Sequence, residues 1–363
     1  MAENLQAQDL VRYSDADIAH RDIAELNLIC AVGLPGSEEL DIGFCLRTLD
    51  RWAKRVRRDT EKNTWQFDRH PESFNYSWAF FRILNMVTVL QRDLGVHYRQ
   101  ELIDMDDARF FSRADHIFLH GVVKGFGGTC SSLPPVYVAV GRRLGYPLRL
   151  VLTKQHMFAR WDDGDERINI ECTSRGLLCH TDDYYRDWPK PWADQEGEGY
   201  GYLRSLTPRQ ELAAFLENRC SVLFQQRRFR EACTTMTVSA HLDPASVKHV
   251  DHLQFMAARW RTELHKRLIP GFPALTVYFP PRHYPSLPLE LEQELFHLIV
   301  KENLLNTPSY EDNWWAPLRR NPNLHPPTLP AHITVVYPAI AGEPVNIILN
   351  GRVPSNFDPR HPC

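Results

Sequence analysis

Two adjacent prolines, Pro134 and Pro135, dictate where a helix can begin in this chain. Proline has no backbone N–H and clashes with the preceding turn. A Pro-Pro pair is therefore accommodated only in a first helical turn, where the donors are unpaired anyway. Downstream, Leu133, Val136, Tyr137, Val140 and Leu144 recur at spacings of three and four, which predicts one buried helix face. Gly145 supplies the stop. Upstream runs GVVKGFGGTCSS, with four glycines from Gly121 to Gly128 that permit a tight backbone and close approach by another chain or a substrate. Cys130 is thereby placed at a helix N-terminus. There the unpaired N–H groups and the macrodipole favour a thiolate and can receive a developing oxyanion.

A thiolate nucleophile needs a base, and the base needs a group to orient it. The next stretch predicts three short strands: 148–153, 155–161 and 166–172. Asp163-Gly164 reads as a two-residue hairpin turn between the last two. In that register His156 lies directly opposite Glu171. Directly opposed residues share a face, with Cβ atoms about 4.5–5.5 Å apart. The carboxylate can then hold one imidazole nitrogen while the other faces Cys130. The same register puts Met157, Ala159 and Trp161 on a core face, against Ile170, Ile168 and Glu166. His156, Phe158, Asn169 and Glu171 share the functional face. Arg160 opposes Arg167, a like-charge pair that must be solvated or find carboxylates. A one-residue slip would turn one strand over relative to the other. Asn169 is the alternative orienting group if the hairpin turns Glu171 away.

The pieces GGTCSSLP, RRLGYPLRLV, QHMFARW and INIECT, in that order, resemble the transglutaminase-like superfamily, in particular its bacterial-type members with a helical region before the GGTC motif. The resemblance covers roughly residues 20–190 and is clearest over 112–188. It implies an α+β, papain-like fold and a Cys–His–Asp/Glu triad. Carried over residue by residue, the nucleophile is Cys130, the base His156 and the orienting acid Glu171. Glutamate is a departure from the commoner aspartate and bears on efficiency more than on role. The resemblance also implies an oxyanion donor from an upstream side chain, for which the sequence offers only Gln155 and, less well, Trp161. The activity implied is acyl transfer through a thioester on a protein or peptide amide, with water or an amine as acceptor. The rival reading is an idle fold that serves as a protein-interaction module.

Other constellations are weaker. His116 and His120 in DHIFLH have the i, i+4 spacing of a metal pair on one helix face, but no HExxH accompanies them. Cys172, Cys179 and His180 lack a fourth ligand and read as packing. Cys130 stands where GxGxxG would need its third glycine, and there is no GxxxxGK, so nothing supports a nucleotide. Neither a metal nor a cofactor is expected. Eight cysteines without a C-x-x-C are too sparse for a disulfide scaffold.

Around this core the chain predicts helices over 21–32, from residue 41 to about 59, and over 78–94. The basic run 51–58 is the solvated outer face of the second. Residues 213–244 resemble one tetratricopeptide repeat. The marks are Cys220, Phe229, Arg230-Glu231-Ala232, Ser239 and Leu242-Asp243-Pro244. With no second copy, structural support is expected before partner docking. Seventeen of the 26 prolines lie from Pro270 onward, which predicts a loop-rich extension. It carries short strands at 275–279, 333–337 and 345–349 and one helix at 289–304. The expected division is therefore 1–200 (catalytic core 112–188), 205–268 and 269–363. A net charge of −3 gives no grip on a phosphate backbone, so nucleic acid is not expected as a partner. No apolar run of about 18 residues exists, and the N-terminus is polar and acidic, so no membrane span or leader is expected and the location is expected to be cytoplasmic.

Overall fold

A computed structural model describes residues 13–103, 105–268, 333–336 and 346–349. The chain divides into two compact units at Gln225/Gln226.

The first unit packs helices around a small sheet. Helix α1, Ile23–Ala31, is capped by the Asp22 carboxylate, which accepts from the Ala24 N–H. It is buried on nearly every side, as an apolar helix in a core must be. Helix α2, Ile42–Arg69, is amphipathic. Cys45, Leu49, Ala53 and Val56 are buried, while Arg51, Lys54, Arg55, Arg57 and Arg58 are exposed, so the basic run is a solvated face. Helix α3, Trp78–Thr88, continues as a π-helical turn over Val89–Asp93, and Gly95 in the left-handed region ends it. Helix α4, Leu133–Arg143, is buried from Leu133 to Gly141. It packs on α1 and α2, and also on the sheet.

That sheet is a three-stranded antiparallel meander of β1 (Leu148–Thr153), β2 (His156–Asp162) and β3 (Arg167–Ile170). Lys154 and Gln155 join β1 to β2, with Gln155 at φ 63°. The β2–β3 connection corrects the sequence expectation. A two-residue Asp163-Gly164 turn does not form. The Asp163 carboxylate instead accepts from the Asp165 and Glu166 N–H groups at 3.0 and 2.8 Å, and the loop runs through residues 163–166. A side chain that mimics a backbone turn in this way lengthens the loop. The register moves by two residues: Ala159 faces Ile170 and Arg160 faces Asn169.

Because the strand period is two, a two-residue shift preserves both faces. The expected Arg160–Arg167 opposition is also removed. Arg160 is buried, and its Nε donates to Asn169 Oδ1 at 2.6 Å while its other nitrogens reach Asp182 and the Leu203 carbonyl. Arg167 is exposed and lies 3.5 Å from Asp162.

Helix α5, Asp182–Asp187, follows the sheet. Helix α6, Pro208–Gln225, packs on α1 and completes the first unit. Arg142 of α4 clamps the buried Glu211 of α6 through two bonds of 2.6 and 2.9 Å, the bidentate geometry guanidinium favours. In the second unit, helix α7 (Phe229–Leu242) packs on helix α8 (Val247–Leu268), and β4 (Ile333–Val336) pairs antiparallel with β5 (Asn346–Leu349). The unit boundary falls inside residues 213–244, the segment expected to form one repeat, between α6 and α7. The expected strand at 275–279 and helix at 289–304 lie outside the described residues. Among the described residues no helix is long and apolar enough to cross a membrane.

Candidate active site

The turn carrying Cys130 is held by the hydroxyls around it. The Leu133 N–H donates to the Thr129 carbonyl at 2.9 Å, so helical hydrogen bonding begins at Thr129. Thr129 acts as the cap: its Oγ1 accepts from the Ser131 N–H, and its own N–H donates to Ser132 Oγ at 2.9 Å. Cys130 is thus the first residue of this turn. Among the described residues its backbone N–H has no hydrogen-bond acceptor.

The glycines admit the protein's own chain. Gly128 donates to the His97 carbonyl and accepts from the Arg99 N–H, at 2.9 and 2.8 Å. A Cβ on Gly128 would meet side-chain atoms of Val122, Leu133 and Ser132 at 2.6–2.9 Å. Any larger residue would push this turn off its seat.

His156, the first residue of β2, is buried, as is Glu171, just past the end of β3. The imidazole Nε2 lies 2.9 Å from Glu171 Oε2. The Cys130 side chain lies close enough to the same ring to shift its titration. With Nε2 engaged by Glu171, Nδ1 is the nitrogen left for the thiol. The structure therefore brings Cys130, His156 and Glu171 together. Cys130 is partly exposed at the end of this chain of contacts. Burial alone would push His156 down. Hydrogen bonds to Cys130 and Glu171, and their charges, outweigh it and raise the imidazole to about 9. Burial would likewise raise Glu171, but the bonds and charge of His156 and the bonds of Thr173 bring it down to about 2.

Glu171 is held more fully than the sequence indicates. Its Oε1 accepts from the Thr173 hydroxyl and N–H at 2.5 and 2.9 Å. Its Oε2 also accepts from the Tyr185 hydroxyl at 2.9 Å. The Tyr185 ring stacks on Phe158 at 3.9 Å and 6°. Trp188 meets the imidazole edge-on at 4.6 Å. Tyr185 and Trp188 come from and just after α5, whose short DDYYRD sequence carries no signal of its place beside His156.

The remaining candidates lie elsewhere. Asn169 donates to the His180 carbonyl and to Asp182 and accepts from Arg160, so it does not orient His156. Gln155 sits at the exposed β1–β2 turn. Trp161 donates its indole N–H to Asp163 at 2.8 Å and packs on Tyr146, on the opposite face from His156. Trp161 is therefore turned away from any oxyanion at Cys130. His116 and His120 do not share a helix face. The helix stops at Phe118, where the backbone is extended. His116 Nδ1 is 3.0 Å from the Phe110 carbonyl and His120 Nε2 is 3.0 Å from that of Gly36. Cys172 is buried with its thiol on the Ile170 carbonyl, Cys179 is exposed, and His180 stacks on Tyr184. Among the described residues no cluster of His, Cys, Asp or Glu is arranged to hold a metal ion.

No curated protein and no solved structure matches the chain. Residues 44–217 match the family model of the transglutaminase-like superfamily. The match runs from within α2 into α6 and includes Cys130, His156 and Glu171. Over these residues the chain is similar to that superfamily.

Proposed function

We propose that this chain is a cysteine-dependent acyl-transfer enzyme that opens an amide bond of a protein or peptide through a thioester. The observation that carries the reading is His156 held by a buried carboxylate, with Cys130, from the turn before α4, close enough to act on the same ring. The Cys130 sulfur adds to the carbonyl carbon, and the π pair moves onto oxygen. The free Cys130 N–H receives that charge. As the carbonyl re-forms, the C–N bond breaks and His156 gives its proton to the departing amine. Water or a second amine then adds to the thioester, His156 takes its proton, and the sulfur leaves. Glu171 fixes the tautomer and orientation of the imidazole throughout and stabilises its charged form.

The test needs no natural substrate. The full chain is mixed with p-nitrophenyl acetate and the intact mass is followed. One acetyl group per chain, located on Cys130 by peptide mapping and absent from Cys130→Ala, is expected. Equal acetylation of Cys130→Ala would remove the basis of the mechanism and favour an idle fold.

A further inference from the structure

The free Cys130 N–H is one donor for a carbonyl oxygen at the site, and a tetrahedral intermediate is best held by two. Trp161 faces away from the site, whereas the segment before the glycine turn is bonded to that turn. His97 and Arg99 bracket Gly128 through their backbone bonds, which sets Tyr98 beside Gly128 in a parallel bridge, two residues before Cys130. The backbone of Tyr98 is therefore fixed to the turn that carries the nucleophile.

Tyr98 is half-buried. Other phenols near the site are occupied: Tyr185 donates to Glu171, and Tyr137 accepts from Gln91. Among the described residues the Tyr98 hydroxyl makes no hydrogen bond to another protein group. Burial, with the nearby charges of Cys130 and Glu171, pushes it up to about 12. It therefore stays protonated, and a donor, across the neutral range. A phenol whose backbone is bonded to the turn of the nucleophile, and which feels the charge of Cys130, suits what a developing oxyanion requires.

We infer that the Tyr98 O–H is the second oxyanion donor, acting with the Cys130 N–H on the substrate carbonyl oxygen. This rests on the proposed acyl chemistry at Cys130. The hydroxyl transfers no proton. As the sulfur adds and the carbonyl π pair moves to oxygen, the O–H strengthens its hydrogen bond. It relaxes when the carbonyl re-forms and the leaving group departs.

The test compares two reactions of the same thiol in the full chain, wild type and Tyr98→Phe, which keeps the ring. Acetylation by p-nitrophenyl acetate passes through an oxyanion. Alkylation by iodoacetamide displaces iodide at a saturated carbon and does not. The expected result is a fall in acetylation of about 10²–10³-fold, the usual effect of losing one such donor. The alkylation rate and its pH profile should be unchanged, which also shows that the turn is intact. Unchanged acetylation would overturn the inference. So would parallel losses in both reactions, since they would make Tyr98 a support of the turn or a partner of the sulfur. A wild-type chain that is alkylated at Cys130 but never acetylated would instead overturn the acyl chemistry, and the inference with it.

Discussion

Glu171 meets His156 diagonally rather than across a direct strand pair. Its Oε2 lies 2.9 Å from Nε2, although the last paired residue of β3 is Ile170, opposite Ala159. Leaning across the sheet in this way leaves the other carboxylate oxygen free to take two bonds from Thr173. The carboxylate is thus oriented by its own downstream turn as well as by the imidazole.

Glu171→Gln keeps the shape of this arrangement and removes its charge. The imidazolium loses its counterion, and an amide can present its N–H to the ring instead of an oxygen. Acetylation of Cys130 is expected to fall by about 10²–10⁴-fold, the range of a lost general-base function. A rate within about tenfold of wild type, read by stopped-flow release of p-nitrophenolate, would mean that Glu171 does not govern His156.

The pair should also mark stability against pH. His156 is raised from 6.5 to about 9, so its contribution is complete below 6.5 and lost as pH rises through 9. Glu171 is lowered from 4.5 to about 2, so its contribution is complete above 4.5 and lost as pH falls through 2. The Tm difference between wild type and Glu171→Gln should therefore be largest between pH 4.5 and 6.5 and narrow on both sides. A difference that does not vary with pH in differential scanning calorimetry would contradict the assigned charges.

Tyr185→Phe removes one donor from Glu171 and retains the stack on Phe158. A hydrogen bond to a charged group is worth about 1.5–3 kcal/mol, and urea unfolding should show a loss of that order. The carboxylate also loses a bond that favours its charged form, so the acid limb of the acetylation rate should move to higher pH. No movement of that limb would reduce Tyr185 to a packing residue.

Particular residues show how far the sequence could be read. Pro134 and Pro135 fix the start of α4 at Leu133, just after the turn that carries Cys130, because their missing N–H groups leave no other position for them. The shared face of His156 and Glu171 is legible because strand periodicity survives any shift by two. The register itself is not legible. It turns on the Asp163 carboxylate choosing the Asp165 and Glu166 N–H groups, a local competition that the Asp-Gly pair does not reveal. Arg160 is buried because Asp182 and the Leu203 carbonyl reach it from later in the chain. Tyr185 is also invisible in the sequence, since a tertiary contact alone brings it to the site. The paired histidines at 116 and 120 mislead for a similar reason: their spacing assumes a continuous helix, and the chain breaks it at Phe118.

The most direct measurement of the central claim is competitive alkylation of the folded full chain at neutral pH, with limiting iodoacetamide and peptide mapping. Burial pushes Cys30 up to about 12 and Cys45 to about 11, so neither holds an available thiolate. Cys130, beside the imidazolium of His156, is predicted to be labelled first. His156→Ala should slow that labelling by at least about tenfold while leaving the other thiols unchanged. Labelling of Cys179 or Cys363 ahead of Cys130, or a Cys130 rate indifferent to His156→Ala, would contradict the account.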